Sequence, residues 1–364
     1  MLNKVILCAQ IAPVFHWAKG HGGIDYDDFK GVCMDAVGNV YITGTYTGTI
    51  DFDPGPGVYT LSTIYRNVFI TKLDVSGNFA WAMKAGANSD DRASSIALDN
   101  SGNTLTTGFF DGVVDFDPGP AVNNLSSAFN STDAFVVKLD SSGNYIWAKK
   151  TGGNNYDSGR NITSDANGNV YFSGYYTGTV DFDPDTSSYL LPGHSSGDLF
   201  ISKLDAAGNF VWAVGFGSTT PQDFAEEIIV DAAGKVYCIG NFEGTGDFDP
   251  GPSNLNFISA GVGDVYIMKF TQTPLGTSEN LTKNDFTIYP NPAHQSLVIS
   301  HGSLKENCEM SVFNVMGKEI FKTSLNDEKT EIDVSKLESG LYFVQLTYSS
   351  SVGLVMSTQK LIIQ

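Results

Sequence analysis

Asp51-Phe-Asp-Pro54 decides the fold, because the same four residues return at Asp115, Asp181 and Asp247, in steps of 64, 66 and 66 residues. Trp17, Trp81, Trp147 and Trp212 keep the same pace, with steps of 64, 66 and 65. Lys-Leu-Asp stands at Lys72, Lys138 and Lys203, and Lys-Phe-Thr takes its place at Lys269. Independent markers on one period signal a repeat architecture, in which each copy buries its core against its neighbours.

Each copy predicts four short strands. In the second they are Ser95–Leu98, Thr104–Thr107, Ala134–Leu139 and Tyr145–Ala148, rich in β-branched and aromatic residues and bounded by Gly, Asn and Asp. The turns Asp35-Ala-Val-Gly-Asn39 and Asp74-Val-Ser-Gly-Asn78 share one form. The Asp bonds its own backbone two residues on, and the Gly supplies positive φ. Four-stranded units in series point to a β-propeller. The fourth copy stops after Ile267-Met-Lys-Phe270 and lacks its Trp-bearing strand, whereas Val14-Phe-His-Trp-Ala-Lys19 resembles Phe79-Ala-Trp-Ala-Met-Lys84. The expected fold class is therefore all-β: a four-bladed propeller over residues 11–271, closed by the N-terminal strand, which would hide two sheet edges. The alternative is an open stack or part of a larger ring.

The run Gly38-Asn-Val-Tyr-Ile-Thr-Gly44, then a Phe-Ile-x-Lys-Leu-Asp strand and Gly-Asn-Phe-x-Trp, resembles the bacterial propeller repeats called SBBP repeats. The resemblance covers about residues 14–271 and implies the fold, with little about a ligand. The Asp-Phe-Asp-Pro-Gly insert departs from the commonest form of that repeat.

Beyond the repeats, residues 272–284 read as a polar linker with Pro and Gly. The period then disappears. Residues 285–364 offer about seven strands, Phe286–Tyr289, Ser296–Ser300, Met310–Asn314, Glu319–Thr323, Thr330–Val334, Leu341–Thr347 and Val355–Ile363, enough for a small Ig-like sandwich. The elements Tyr289-Pro-Asn-Pro292, Val312-Phe-Asn-Val-Met-Gly317-Lys, Leu337-Glu-Ser-Gly340-Leu-Tyr342-Phe-Val and Gln359-Lys360-Leu-Ile-Ile follow in order. Together they resemble the type A C-terminal sorting domain of the type IX secretion system of Bacteroidetes. That resemblance implies Sec export to the periplasm, an outer-membrane translocon and a surface sortase as partners, and removal of the domain, commonly with attachment to lipopolysaccharide. It makes Gly317, Gly340, Tyr342 and Lys360 the candidate sorting residues. The alternative is an ordinary Ig-like module, in which Gly317 and Gly340 are turn glycines and Lys360 is solvated.

Composition agrees with this organisation. The chain of 364 residues holds 39 Gly, is 41% hydrophobic and only 17% charged, a profile of many strands and tight turns. The formal net charge of −19 repels phosphate backbones, so nucleic acid is not an expected partner. No stretch is long and apolar enough to span a bilayer as a helix. Met1–Gln10 reads either as the remnant of a secretory signal peptide with cleavage near Gln10 or as a frayed N-terminus. Cys8, Cys33, Cys238 and Cys308 match no zinc spacing and suggest no disulfide framework.

Few residues advertise chemistry. Gly193-His-Ser-Ser-Gly197 fits the nucleophile-elbow pattern, but Pro192 precedes it and a β-type run follows where a helix is required. The candidate metal ligands are Asp51, Asp53, Asp115, Asp117, Asp181, Asp183, Asp247 and Asp249. In an extended stretch each pair shares one face while the intervening Phe turns inward. Calcium is the candidate ion, and it would need further carbonyls and waters. The blander reading makes these Asp residues caps of a Pro-Gly turn. Asp27, Asp91, Asp157 and Asp223 recur before each first strand, as a carboxylate ring or as four separate caps. The regular tryptophans suggest packing between units rather than a sugar platform. The expected function is a non-catalytic, exported binding or adhesion module for an unidentified glycan or protein. A secreted hydrolase with a propeller catalytic domain is the alternative.

Overall fold

The computed structural model describes residues 14–364 except 129–130, 186, 195–196, 219–222, 252–253, 273–285, 302–307, 315–317, 326 and 351–352. The expected signal-peptide remnant, nearly all of the linker, and Gly317 therefore lie outside the described residues. The chain divides into two compact units, residues 1–271 and 272–364. Every described element is a strand; no helix occurs among the described residues.

In the first unit the repeats alternate up and down. Repeat one holds β1 (Asp27–Met34), β2 (Val40–Asp51), β3 (Thr60–Leu73) and β4 (Phe79–Ala85), paired in that order. Repeat two holds β5 (Arg92–Leu98), β6 (Thr104–Asp111), the outer hairpin β7 (Val113–Asp115) and β8 (Asn124–Ser126), then β9 (Thr132–Leu139) and β10 (Tyr145–Thr151). Repeat three follows with β11 (Ser158–Ser164), β12 (Val170–Tyr176), hairpin β13 (Thr179–Asp181) and β14 (Leu190–Pro192), β15 (Asp198–Leu204) and β16 (Phe210–Ser218). Repeat four has β17 (Phe224–Val230), β18 (Val236–Phe242), hairpin β19 (Thr245–Asp247) and β20 (Asn256–Ile258), and β21 (Asp264–Phe270). The outer hairpins are additions to the four expected strands. In repeat one the equivalent hairpin is absorbed into the long β2 and β3.

Successive sheets stack face to face. Tyr41, Val68 and Ile70 of repeat one pack on Ile96, Phe110 and Phe135 of repeat two. Leu105, Ala134 and Val136 then meet Ile162, Val170 and Phe200. Tyr171, Leu199 and Ile201 meet Ile228, Val236 and Tyr266. The same positions at the two ends of the series are open: Val32, the counterpart of buried Ile96, is 57% exposed, and Val265 and Ile267, the counterparts of buried Val68 and Ile70, are 69% and 72% exposed.

The tryptophans join neighbours. Trp81 Nε1 donates to Ser141 O at 3.2 Å, and Trp147 Nε1 to Ala206 O at 3.3 Å, each in the last turn of the following repeat. Trp17 makes the same bond to Val75 O at 3.2 Å. Residues 14–20 form no strand and pair with no neighbour along their length, which differs from the expected latch. They stand against repeat one as the last strand of a preceding repeat would. Gly22 bridges Asp51 as Gly152 bridges Asp181 and Gly217 pairs with Asp247.

The second unit contains β22 (Phe286–Tyr289), β23 (Ser296–His301), β24 (Cys308–Asn314), β25 (Glu319–Leu325), β26 (Lys329–Asp333), β27 (Gly340–Ser350) and β28 (Gly353–Ile363). Sheets ordered β22-β23-β26 and β25-β24-β27-β28 enclose a core of Phe286, Leu297, Ile299, Met310, Val312, Val344, Leu346 and Leu361.

Candidate functional site

The Asp-Phe-Asp-Pro loops come first, as the predicted metal sites. Phe52, Phe116, Phe182 and Phe248 are buried, as the alternation requires. Asp51 Oδ1 accepts the N–H of Asp53 at 3.0 Å and of Tyr59 at 2.8 Å, and Asp53 Oδ1 that of Gly55 at 2.7 Å. Those amides hold the Asp51 carboxyl below its ordinary range. Asp115 binds the amides of Asp117 and Asn123, Asp181 those of Asp183 and Tyr189, and Asp247 those of Asp249 and Leu255. Asp117, Asp183 and Asp249 cap Gly119, Asp185 and Gly251. The first Asp closes the base of the loop and the second its tip, which is the turn-capping arrangement. Among the described residues no three His, Cys, Asp or Glu groups gather as a metal cluster. The donor set therefore offers calcium two carboxylates already committed to amides.

The carboxylates before each first strand are separate caps. Asp91 accepts from the amides of Ala87 and Asp111, Asp157 from Gly153 and Thr177, and Asp223 from Ser218 and Glu243. Each stitches the chain leaving one repeat to the second strand of the next. Burial pushes the Asp91 carboxyl up to about 6 and Asp157 to about 7, against the pull of those amides. Asp133, beside Asp157, is also raised by burial, although Lys150 pairs with it at 2.5 Å.

In the Gly-x-Ser-x-Gly segment, Ser195 lies outside the described residues. His194 Nδ1 meets Asp198 Oδ1 at 2.8 Å, and His194 N donates to Asp198 Oδ2 at 2.7 Å. A hairpin strand, β14, precedes the segment and β15 follows, so the strand–turn–helix setting of a nucleophile elbow is missing.

A feature that sequence reasoning missed breaks the symmetry of the repeats. Between the pairs Tyr46↔Asn67 and Gly48↔Thr63, the single Thr47 faces three residues, Ile64, Tyr65 and Arg66. Such a bulge re-aims side chains. Thr63 Oγ1 donates to Tyr65 O at 2.9 Å, and Arg66 O and Tyr26 O accept the amides of Asp91 and Thr47, both at 2.9 Å. The bulge walls a cleft of about 450 Å³ with Asp25, Tyr26, Ser89 and Asp90. The Arg66 guanidinium lies 4.9 Å from the centre of the Tyr26 ring and 3.7 Å from Asp90 Oδ2. Arg92 grips the same carboxylate from the other side, Nε to Oδ1 at 3.0 Å, and Asp90 holds the Arg92 guanidinium above its ordinary value. The signal was present: Ser131-Thr132, Ser196-Gly197 and Val262-Gly263 replace Tyr65-Arg66 in the other copies.

In the second unit the first and last motifs meet. Asn291 Nδ2 donates to Lys360 O at 2.7 Å, and Asn291 Oδ1 accepts the N–H of Ile362 at 2.9 Å. Ala293 N donates to Ile362 O, and Gln364 N to Ala293 O. Gly340 opens β27, Tyr342 donates its hydroxyl to Glu338 O at 3.0 Å, and Lys360 is exposed on β28. Residues 287–364 match the family described as a secretion system C-terminal sorting domain. The sorting domain marks the protein for the cell surface or the exterior, by way of the periplasm.

Other comparisons each cover more than half of the chain. An uncharacterised WD repeat-containing protein of Acanthamoeba polyphaga mimivirus is 25% identical over 228 residues, covering 56% of this chain and 16% of the relative. The regulatory protein FlaEY of Caulobacter vibrioides is 24% identical over 233 residues, covering 61% and 21%. The chain thus spans about a fifth or less of the length of these curated relatives. Among solved structures, PorZ, titled an essential surface component of the type IX secretion system of Porphyromonas gingivalis, is 13% identical. It aligns over 92% of this chain and 45% of its own, with a TM-score of 0.26. The extracellular domain of a putative hybrid two-component system from B. thetaiotaomicron is also 13% identical, over 93% and 56%, with a TM-score of 0.23.

Proposed function

We propose that the protein is a non-catalytic binding module delivered to the cell surface by the type IX translocon, with the sorting domain then cleaved by a surface sortase. The observation that carries this reading is the sorting domain itself, with Asn291 tying its opening motif to the final strand that holds Lys360. Fusing residues 273–364 to a secreted reporter in a Bacteroidetes host, with and without residues 360–364, tests delivery. Surface reporter from the first and periplasmic reporter from the second support it; equal behaviour rejects it. The binding role rests on repeats whose carboxylates serve backbone amides. Turnover of any substrate in a generic hydrolase panel would favour the hydrolase alternative.

The finer reading of the repeats is an SBBP-type four-bladed propeller. Among the described residues repeat four has no last strand, and residues 14–22 stand in the place of a last strand beside repeat one. The cross-strand pairs Thr71↔Ala82, Val137↔Ala148 and Ser202↔Ala213 extend by the period to Met268↔Ala18. That register would cover Val265, Ile267 and Val32 together. An Ala18→Cys/Met268→Cys chain is expected to form an intramolecular disulfide under mild oxidation, absent from either single variant. Only intermolecular cross-links would mean an open stack.

A further inference from the structure

We propose that the cleft at the β-bulge of repeat one is a carbohydrate-binding site for a neutral sugar chain; this rests on the reading of the first unit as a binding module. The cleft has the two components a sugar ring requires. One is an aromatic platform. Tyr65 is 47% exposed in the unpaired segment of the bulge, and Tyr26 lines the same cleft, braced on one face by Arg66. The negative face of an aromatic ring attracts the C–H groups that line one side of a pyranose, and a tyrosine supplies that surface at little conformational cost. The other component is planar polar chemistry. The Arg66 guanidinium carries only donors and the Asp90 carboxylate only acceptors, and at 3.7 Å they can bridge adjacent hydroxyls.

Charge selects the ligand class. Asp90 is shared by Arg66 and Arg92, and Asp25 adds a further carboxylate to the lining. The site offers no uncompensated cation to an acidic sugar, and the chain's net charge of −19 repels one at distance. A neutral chain meets neither obstacle. Its walls are pinned by backbone hydrogen bonds at Tyr26 and Arg66, so little order has to be created on binding. The repeats supply an internal contrast: Tyr156 occupies in repeat three the place of Tyr26 and is 61% exposed, yet it has no neighbouring Tyr-Arg pair.

The test titrates the full chain with cellohexaose, xylohexaose, laminarihexaose and mannohexaose by calorimetry. At least one is expected to bind. Tyr65→Ala and Arg66→Ala should each weaken that sugar about tenfold, while Tyr156→Ala leaves it unchanged and all three variants keep the parent unfolding temperature. Binding that survives both Tyr65→Ala and Arg66→Ala overturns the cleft and leaves the binding-module reading standing. Silence from all four sugars overturns the carbohydrate assignment. Surface delivery of the chain is read separately by the reporter fusion.

Discussion

Asn291 grips one edge of the final strand, donating to the carbonyl of Lys360 and accepting the amide of Ile362. An asparagine does this because its side chain carries a donor and an acceptor side by side, matching the peptide groups of an extended edge. The strand is also paired with β27 along its length, from Gly340↔Ile363 to Ser350↔Gly353.

Asn291→Ala should therefore loosen the end of β28 and leave two backbone groups without partners. Because both bonds lie at the exposed edge, the expected loss of stability for the isolated transition of residues 272–364 is about 1 kcal/mol. Thermal unfolding of the full chain, followed by a probe in that unit, reads it. A shift below a few tenths of a kcal/mol would mean that water replaces Asn291 at no cost.

A pair of turn glycines separates backbone strain from crowding. Gly102 and Gly143 both have positive φ, +76° and +86°. A Cβ on Gly102 would meet only Ser141 at 4.0 Å, whereas on Gly143 it would meet the Trp81 indole at 2.8 Å. Gly102→Ala should cost about 1 kcal/mol, and Gly143→Ala about 1–3 kcal/mol more. Urea unfolding of the two variants checks the difference; equal costs would mean the indole moves aside freely.

Acid affects the caps and the turns in opposite senses. Burial raises Asp157 to about 7, so its folded-state value lies above the unfolded one near 4. Its contribution is full below pH about 4 and is lost as pH rises through about 7. In Asp35, Asp99, Asp140, Asp165 and Asp205 burial also pushes upward, but bonds from the following Asn and the turn amides outweigh it. In Asp74 the Asn78 amide leads. These depressed groups give stability that is present above the unfolded value and lost as pH falls through the folded one. The stability of the parent relative to Asp157→Asn should thus decline between pH about 4 and 7, by on the order of a few kcal/mol. Denaturant titrations at a series of pH values test it, and a flat difference would contradict the burial of that carboxylate.

Calcium offers the fourth check. With Asp51 and its three counterparts closing loops through amides, millimolar calcium should leave the unfolding temperature and the calorimetric baseline unchanged, although extracellular modules bind it at about 0.1–1 mM. A saturable heat that vanishes in Asp53→Asn would restore the ion to these loops.

Much of this architecture is legible in the sequence. The seven strands of the sorting domain stand within a few residues of their expected bounds, because short β-branched runs there are fenced by Gly, Asn and Pro. The turn role of the Asp-x-x-Gly-Asn motifs is equally plain, since the motif contains its own bonding partners. Other features depend on partners far along the chain. Three residues opposing Thr47 in a bulge depend on register, which no local pattern near Ile64 records. The outer hairpins are only three residues per strand, too short to show a period. Asn291 meets Ile362 across 71 positions, and only the folded sandwich brings them together. Repetition itself masked the cleft, because attention to what recurs passes over Tyr65 and Arg66, which occur once.

The seat of each tryptophan on its neighbour's turn bears on how the first unit comes apart. Trp81 roofs Gly143 and Trp147 roofs Gly208, so none of repeats one to three can loosen without uncovering a neighbour. Nearest-neighbour coupling of this kind makes intermediates with one melted repeat costly. Repeats one to three should then melt as one cooperative body rather than repeat by repeat, which suits a surface exposed to proteases outside the cell.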